Sequence, residues 1–257
     1  MAPTLDSVRV RLIQIRTDPG VLAEERQSFE ARCGLSADGF QVTNAIREPL
    51  SPALLDGVDA VMIGGAGAYS VTKTYDWTQA LIDVCQACAD REMPLFGSCW
   101  GHQFIARAFG GEVINDPDRS EMGTHSVDLT KAGRADALFG TLPVRFDAQM
   151  GHQDRVARLP DGAVELATND RAPYQAFRLG DLPIFGTQFH SELDAETERQ
   201  RLVAYRAHYP EMQDPARFQA VIDALRPSPE VDGLLQTFLE TFATENGADR
   251  SAADPVG

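Results

Sequence analysis

The chain has 257 residues, 43% hydrophobic and 24% charged, with a formal net charge of −15. Such an acidic chain repels phosphate backbones and anionic lipid, so neither nucleic acid nor a membrane surface is expected as a partner. There is no apolar run of about eighteen residues to span a bilayer, and the opening MAPTLDSVRVRLIQ lacks the basic and apolar regions of a secretion signal, so a cytoplasmic setting is expected.

Residues 8–15, VRVRLIQI, alternate and are β-rich, which predicts a strand. DPGVLAEERQSFEARCG follows as a helix, with Asp18 as N-cap, Pro19 at the first helical position and Gly34 as the stop. Strands are predicted at 40–46 and 59–63, the second a continuous apolar run suited to a sheet covered on both faces. A glycine-rich loop, GGAGAYSVTKT, leads to a helix over 77–90, a strand over 94–98 and a helix over 100–109. This alternation predicts a parallel sheet with helices on both sides. From 112 to 189 the short runs SVDLT, VRFDAQM, AVELAT, YQAFRL and LPIFGTQFH are separated by turn residues, so the sheet should be mixed. After Asp194, a plausible N-cap, helices are expected over 195–208, 214–225 and 229–243. The reading is thus a three-layer α/β/α unit over 1–194, a helical extension over 195–245 packed on the same domain, and a disordered tail over 246–257.

Four cysteines are present: Cys33, Cys85, Cys88 and Cys99. Cys85 and Cys88 form a CxxC late in a predicted helix, where packing is the expectation rather than redox or zinc chemistry. Cys99 is placed differently. In PLFGSCWGHQFIARAFGG it falls where a strand gives way to a helix, with Gly97 and Gly101 two positions to either side. This is the spacing of a nucleophile elbow with cysteine in place of serine. A tight turn pushes the side chain out, and the helix N-terminus offers unpaired N–H groups and a positive dipole end. Against this stands a buried structural cysteine between two common glycines.

A base strengthens the case. His190 ends the strand LPIFGTQFH, and Glu192 lies two residues on. In extended chain the two share a side, so Glu192 can orient the imidazole while its other nitrogen faces Cys99. His152, in the MGHQD loop between strands, is placed to line the same site. The loop Gly64–Ser70 follows a strand on the same sheet edge and can offer backbone N–H groups to a bound carbonyl, with the N–H of Trp100 as partner. It matches neither a P-loop nor the dinucleotide fingerprint. No two histidines have metal-ligand spacing, so no metal is expected.

With these segments in order the chain resembles the class I, triad-type glutamine amidotransferases over about residues 8–193. GSCWGHQ resembles the nucleophile segment and MIGGAGAYS the oxyanion loop. GTQFHSE resembles the base segment, with Ser191 where proline is usual. EMGTHSVDLT and the stretch from MGHQD onward look like stand-alone domains similar to the glutaminase half of GMP synthase. The resemblance implies a flavodoxin-like fold and attack by Cys99 on the glutamine γ-amide. His190 would carry the protons, Glu192 would orient it, and N–H groups of Gly65 or Gly67 and of Trp100 would hold the oxyanion. Gln103 would contact substrate, and no cofactor is implied. Three functions remain open from sequence: a glutaminase serving a separate synthetase chain, a γ-glutamyl hydrolase acting on a small conjugate, and a non-enzymatic binding domain.

Overall fold

β3 (Ala60–Ile63) sets the pattern of the molecule: Ala60 and Met62 point into one core, Val61 and Ile63 into the other. Neither face meets water, and so the strand reads as an unbroken apolar run. The computed structural model describes residues 4–244. Among them, a nine-stranded sheet runs in the order β2 (Phe40–Asn44), β1 (Val10–Gln14), β3, β4 (Leu95–Ser98), β11 (Ile184–Thr187), β10 (Ala176–Leu179), β9 (Ala163–Thr168), β6 (Glu121–Leu129) and β7 (Arg145–His152). The strands from β2 to β11 are parallel. From β11 outward each neighbour pairs antiparallel. β5 (Glu112–Asn115) and β8 (Asp154–Arg158) form a separate antiparallel pair.

Helices cover both faces, as the alternation predicts. α1 (Pro19–Cys33) starts where the Asp18 side chain accepts from the N–H groups of Gly20 and Val21, and stops at Gly34 with φ of 66°. It shares its core with α7 (Leu234–Phe242), whose Phe238 packs edge-on against Phe96 and Phe185, with ring centroids at 5.3 and 5.9 Å. Burying one such ring contributes roughly 1.5–3 kcal/mol. The opposite face carries α2 (Thr78–Asp90) and α3 (Trp100–Ala108). Cys85 and Cys88 of α2 are wholly buried there, and burial raises both thiols, Cys88 to about 12, so the CxxC packs as expected.

The antiparallel half departs from the sequence reading. β5, β8 and α4 (Lys131–Ala135) are additional elements, and β6 begins five residues before SVDLT. β7 runs through His152, which pairs with Glu121 across the hairpin, so His152 is a strand residue and not a loop residue. Ladder pairing with β6 overrides the glycine that suggests a loop. The C-terminal helices are shorter than predicted: α5 (Ala195–Tyr205), α6 (Pro215–Asp223) and α7, with Pro229–Val231 forming only a 3-10 turn before Gly233. α5 and α6 share a small core with β6, built on Met122, Leu202, Met212 and Ile222. The predicted disordered tail over 246–257 lies outside the described residues. Among the described residues no helix is long and apolar enough to cross a membrane.

Candidate active site

β4 ends at Ser98 and α3 begins at Trp100, so Cys99 alone makes the corner. Its φ of 51° and ψ of −98° cost a side chain of the order of 1–3 kcal/mol. The Cys99 N–H is tied to Thr187 O of β11 at 2.7 Å. The two flanking glycines are required by packing. A Cβ on Gly97 would lie 2.5 Å from the carbonyl carbon of Gly101, and one on Gly101 would strike the carbonyl oxygen of Ile63. The first turn of α3 therefore lies directly on the backbone of β3 and β4, at the C-terminal edge of the parallel strands where such folds hold their ligands.

Beyond β11 the chain bends at 188–189 and again at 191–192, and His190 between them makes one antiparallel bridge to Gln149 of β7. The alternation expected of an extended chain is therefore not kept, yet Gln188, His190 and Glu192 still converge on the site through their side-chain contacts. Glu192 Oε1 lies 2.7 Å from His190 Nδ1, and Ser98 Oγ donates to Glu192 Oε2 at 2.7 Å. His190 and Cys99 line one cavity, and the nearby sulfur helps to raise the imidazole. All three residues are buried. Burial alone would raise the Glu192 carboxyl and lower the imidazole. The charges and hydrogen bonds among His190, Glu192, Cys99, Arg201 and Ser98 prevail, holding Glu192 at about 2 and His190 well above its ordinary value.

The other residues singled out from sequence divide. Gln103, on α3, donates its amide to Asp154 O at 2.6 Å and Gln188 Oε1 at 3.0 Å, and lines a cavity of about 250 Å³ together with Cys99, Trp100 and His152. His152 is clamped between Glu121 Oε2 and Asp154 O, each at 3.1 Å. Gly67 lies beside Cys99, but the N–H of Gly65 is committed to Glu25 Oε1 at 3.1 Å. The pairing expected for either glycine thus reduces to Gly67. Tyr75 and Trp77, which follow the glycine-rich loop in the chain, stack on one another at 5.0 Å, and Trp77 packs against Trp100. They are packing residues, while Tyr69 borders the larger cavity.

Several neighbours escaped the sequence reading. Gln188 Nε2 donates to Cys99 Sγ at 3.7 Å, and its place two residues before His190 is the sequence signal that could have revealed it. Arg16, at the end of β1, is buried and bonded to Glu25 at 2.8 Å and to Tyr205 Oη at 2.8 Å. Glu198, Arg201, Tyr205 and Tyr209 come from the C-terminal extension and border a second, smaller cavity beside Cys99 and His190. No motif marks them; the packing of α5 on the sheet brings them in.

A family model described as glutamine amidotransferase class-I matches residues 29–208. One component of the glutamine-hydrolyzing GMP synthase of Archaeoglobus fulgidus is 32% identical over 139 residues, which take in 54% of this chain and 69% of that protein. The corresponding component from Methanopyrus kandleri is 37% identical over 102 residues, 40% of this chain and 53% of that one. The GMP synthase of Thermosipho africanus is 42% identical over 101 residues, 39% of this chain and 19% of that protein. The chain therefore spans about half of the Methanopyrus protein and about a fifth of the Thermosipho synthase. Among solved structures, a glutamine amidotransferase from Thermotoga maritima superposes with a TM-score of 0.68 at 23% identity, over 91% of this chain and 98% of that one, which shows the shared fold. With a match that enters at α1 and runs past α5, taking in most of the sheet and more than half of the sequence, the chain belongs to the class I glutamine amidotransferase family.

Proposed function

We propose that this protein hydrolyses the γ-amide of glutamine through a thioester on Cys99. The observation that carries the reading is the buried run Cys99–His190–Glu192, with the sulfur on a positive-φ corner at the start of α3. The Cys99 sulfur attacks the γ-carbonyl carbon and its proton passes to His190. Glu192 holds the ring by Nδ1 and stabilises the imidazolium. The amides of Trp100 and Gly67 receive the oxyanion, since first-turn amides have no acceptor within a helix. As the C–N bond breaks, His190 returns the proton to nitrogen and ammonia departs. Water then adds to the thioester, releasing glutamate and restoring the thiol. Gln103 and His152 border the larger cavity, which suits the amino-acid portion of the substrate. Relatives named as one component of a divided GMP synthase support delivery of the ammonia to a separate synthetase chain.

The test is direct. A chloromethyl ketone analogue of glutamine should label Cys99, read by peptide mass spectrometry, and Cys99→Ala should abolish both labelling and glutamine turnover. Turnover surviving in Cys99→Ala would end this reading.

A further inference from the structure

The two cavities meet at Cys99 but differ sharply in size. His190 borders only the smaller of the two. About 20 Å³ there is open to the centre of a water-sized molecule, room for one or two such molecules. Its roof is the C-terminal extension. The Tyr205 ring sits on the glycine loop so closely that a Cβ on Gly67 would be 2.5 Å from it, and Tyr209 Oη donates to Gly151 O at 3.1 Å.

The charges in this chamber do not balance internally. Arg16 is paired with Glu25, and Arg201 with Glu24 and Glu192. Glu198 is 1% exposed, and its Oε2 is buried without a hydrogen-bond partner among the described residues. In its ionised form this oxygen accepts only, so the partner that suits it is an N–H or O–H donor small enough for the chamber. Native structures rarely leave such an atom unpaired without a ligand or a function.

We infer that this chamber is the leaving-group site and that Glu198 accepts hydrogen bonds from the unsubstituted carboxamide nitrogen and then from the N–H groups of the ammonia released from it. The inference rests on the glutamine-hydrolysis reading above and narrows it. The substrate class is a primary γ-carboxamide, and γ-glutamyl conjugates of larger amines are excluded by the roof. The covalent steps are unchanged; Glu198 contributes contacts to the nitrogen, and the proton comes from His190.

The experiment compares glutamine with γ-glutamyl ethylamide in the wild-type chain, Glu198→Gln and Glu198→Met, alongside labelling of Cys99 by the chloromethyl ketone. That reagent has no N–H at the leaving position. Expected are turnover of glutamine at least tenfold above the ethylamide, a loss of roughly ten- to a hundredfold in kcat/KM for glutamine in both variants, and labelling rates within about threefold of wild type, which also report that the variants are folded. Wild-type glutamine turnover in both Glu198 variants, or equal turnover of the ethylamide by the wild-type chain, would overturn the inference while leaving the Cys99 mechanism intact. Absence of both labelling and turnover in the wild-type chain would instead overturn the mechanism and the inference together.

Discussion

Arg201 of α5 bonds Glu192 and Glu24 at once, with Nη1 3.4 Å from Glu192 Oε1 and Nη2 2.7 Å from Glu24 Oε2. The C-terminal extension is thereby fastened to the carboxylate that holds His190. Removing one member of a buried charge cluster leaves the others uncompensated and costs roughly 3–5 kcal/mol. Arg201→Met should lower the unfolding free energy by that order in urea titrations. It should also move the acid limb of glutamine turnover to higher pH, because Glu192 loses a cation that holds its carboxyl down.

The corner at Cys99 stores strain that a glycine would not feel. Cys99→Ala and Cys99→Gly both remove the sulfur, yet only alanine keeps a Cβ at φ of 51°. The glycine variant should be the more stable by about 1 kcal/mol despite its more flexible unfolded chain. A higher melting temperature for the alanine variant than for the glycine variant would show that the corner is unstrained.

Gly101 has no such latitude. Its Cβ would collide with the Ile63 carbonyl, a backbone atom of a central strand. Gly101→Ala must push α3 away from the sheet. It is expected to destabilise by about 1–3 kcal/mol or more, and to reduce turnover by displacing Cys99. Thermal melting and kcat together check this.

Glu192 and His190 bound the pH range of stability from opposite sides. The Glu192 carboxyl titrates at about 2 when folded against an unfolded value near 4.5, so its contribution is present above about 4.5 and is lost as pH falls toward 2. The imidazole is raised by Glu192 and Cys99 against the effect of burial. Its contribution is full below about 6.5 and is lost as pH rises through the folded value. Glu192→Gln should flatten the acid slope of unfolding free energy measured from pH 5 to 3. A slope like that of the wild type would show that the acid limit lies elsewhere.

Glu198 runs the other way. Burial raises its carboxyl to about 7, only partly opposed by His190 and Arg201 and assisted by Glu192 and Glu24. Arg16, Tyr205 and Tyr209 face it across the chamber. The folded protein keeps this proton where the unfolded chain releases it, so stability falls as pH rises from about 4.5 to about 7 and stays lowered above that. Glu198→Gln should therefore be more stable than the wild type at pH 8 than it is at pH 5, by up to about 3 kcal/mol. A buried carboxylate that destabilises the protein above about pH 7 beside Cys99 and His190 fits a trade of stability for function.

Much of the site was legible in the chain because it is local. The elbow needs glycines at fixed offsets around Cys99, since α3 lies on the backbone of β3 and β4. The pairing of His190 with Glu192 is between residues two apart, although the chain there is bent and not the extended strand that the sequence suggested. The parallel half of the sheet was readable too, as β3 and β4 are buried on both faces and their apolar runs are continuous. Where pairing partners decide the conformation, reading failed: β5 and β8 are ordered by each other, and His152 is a strand residue because Glu121 lies opposite it.

The sequence by itself determined which residue is the nucleophile candidate, which imidazole and carboxylate stand beside one another, and that strands and helices alternate through the first half. Only the tertiary structure decided that Gly65 spends its amide on Glu25, and that Glu198, Arg201, Tyr205 and Tyr209 close the far side of Cys99. Those contacts join segments that lie far apart in the chain, and no periodicity or turn chemistry encodes them. They arise when α5 docks through Leu202 onto Met122 of β6 and carries its charged face over the site.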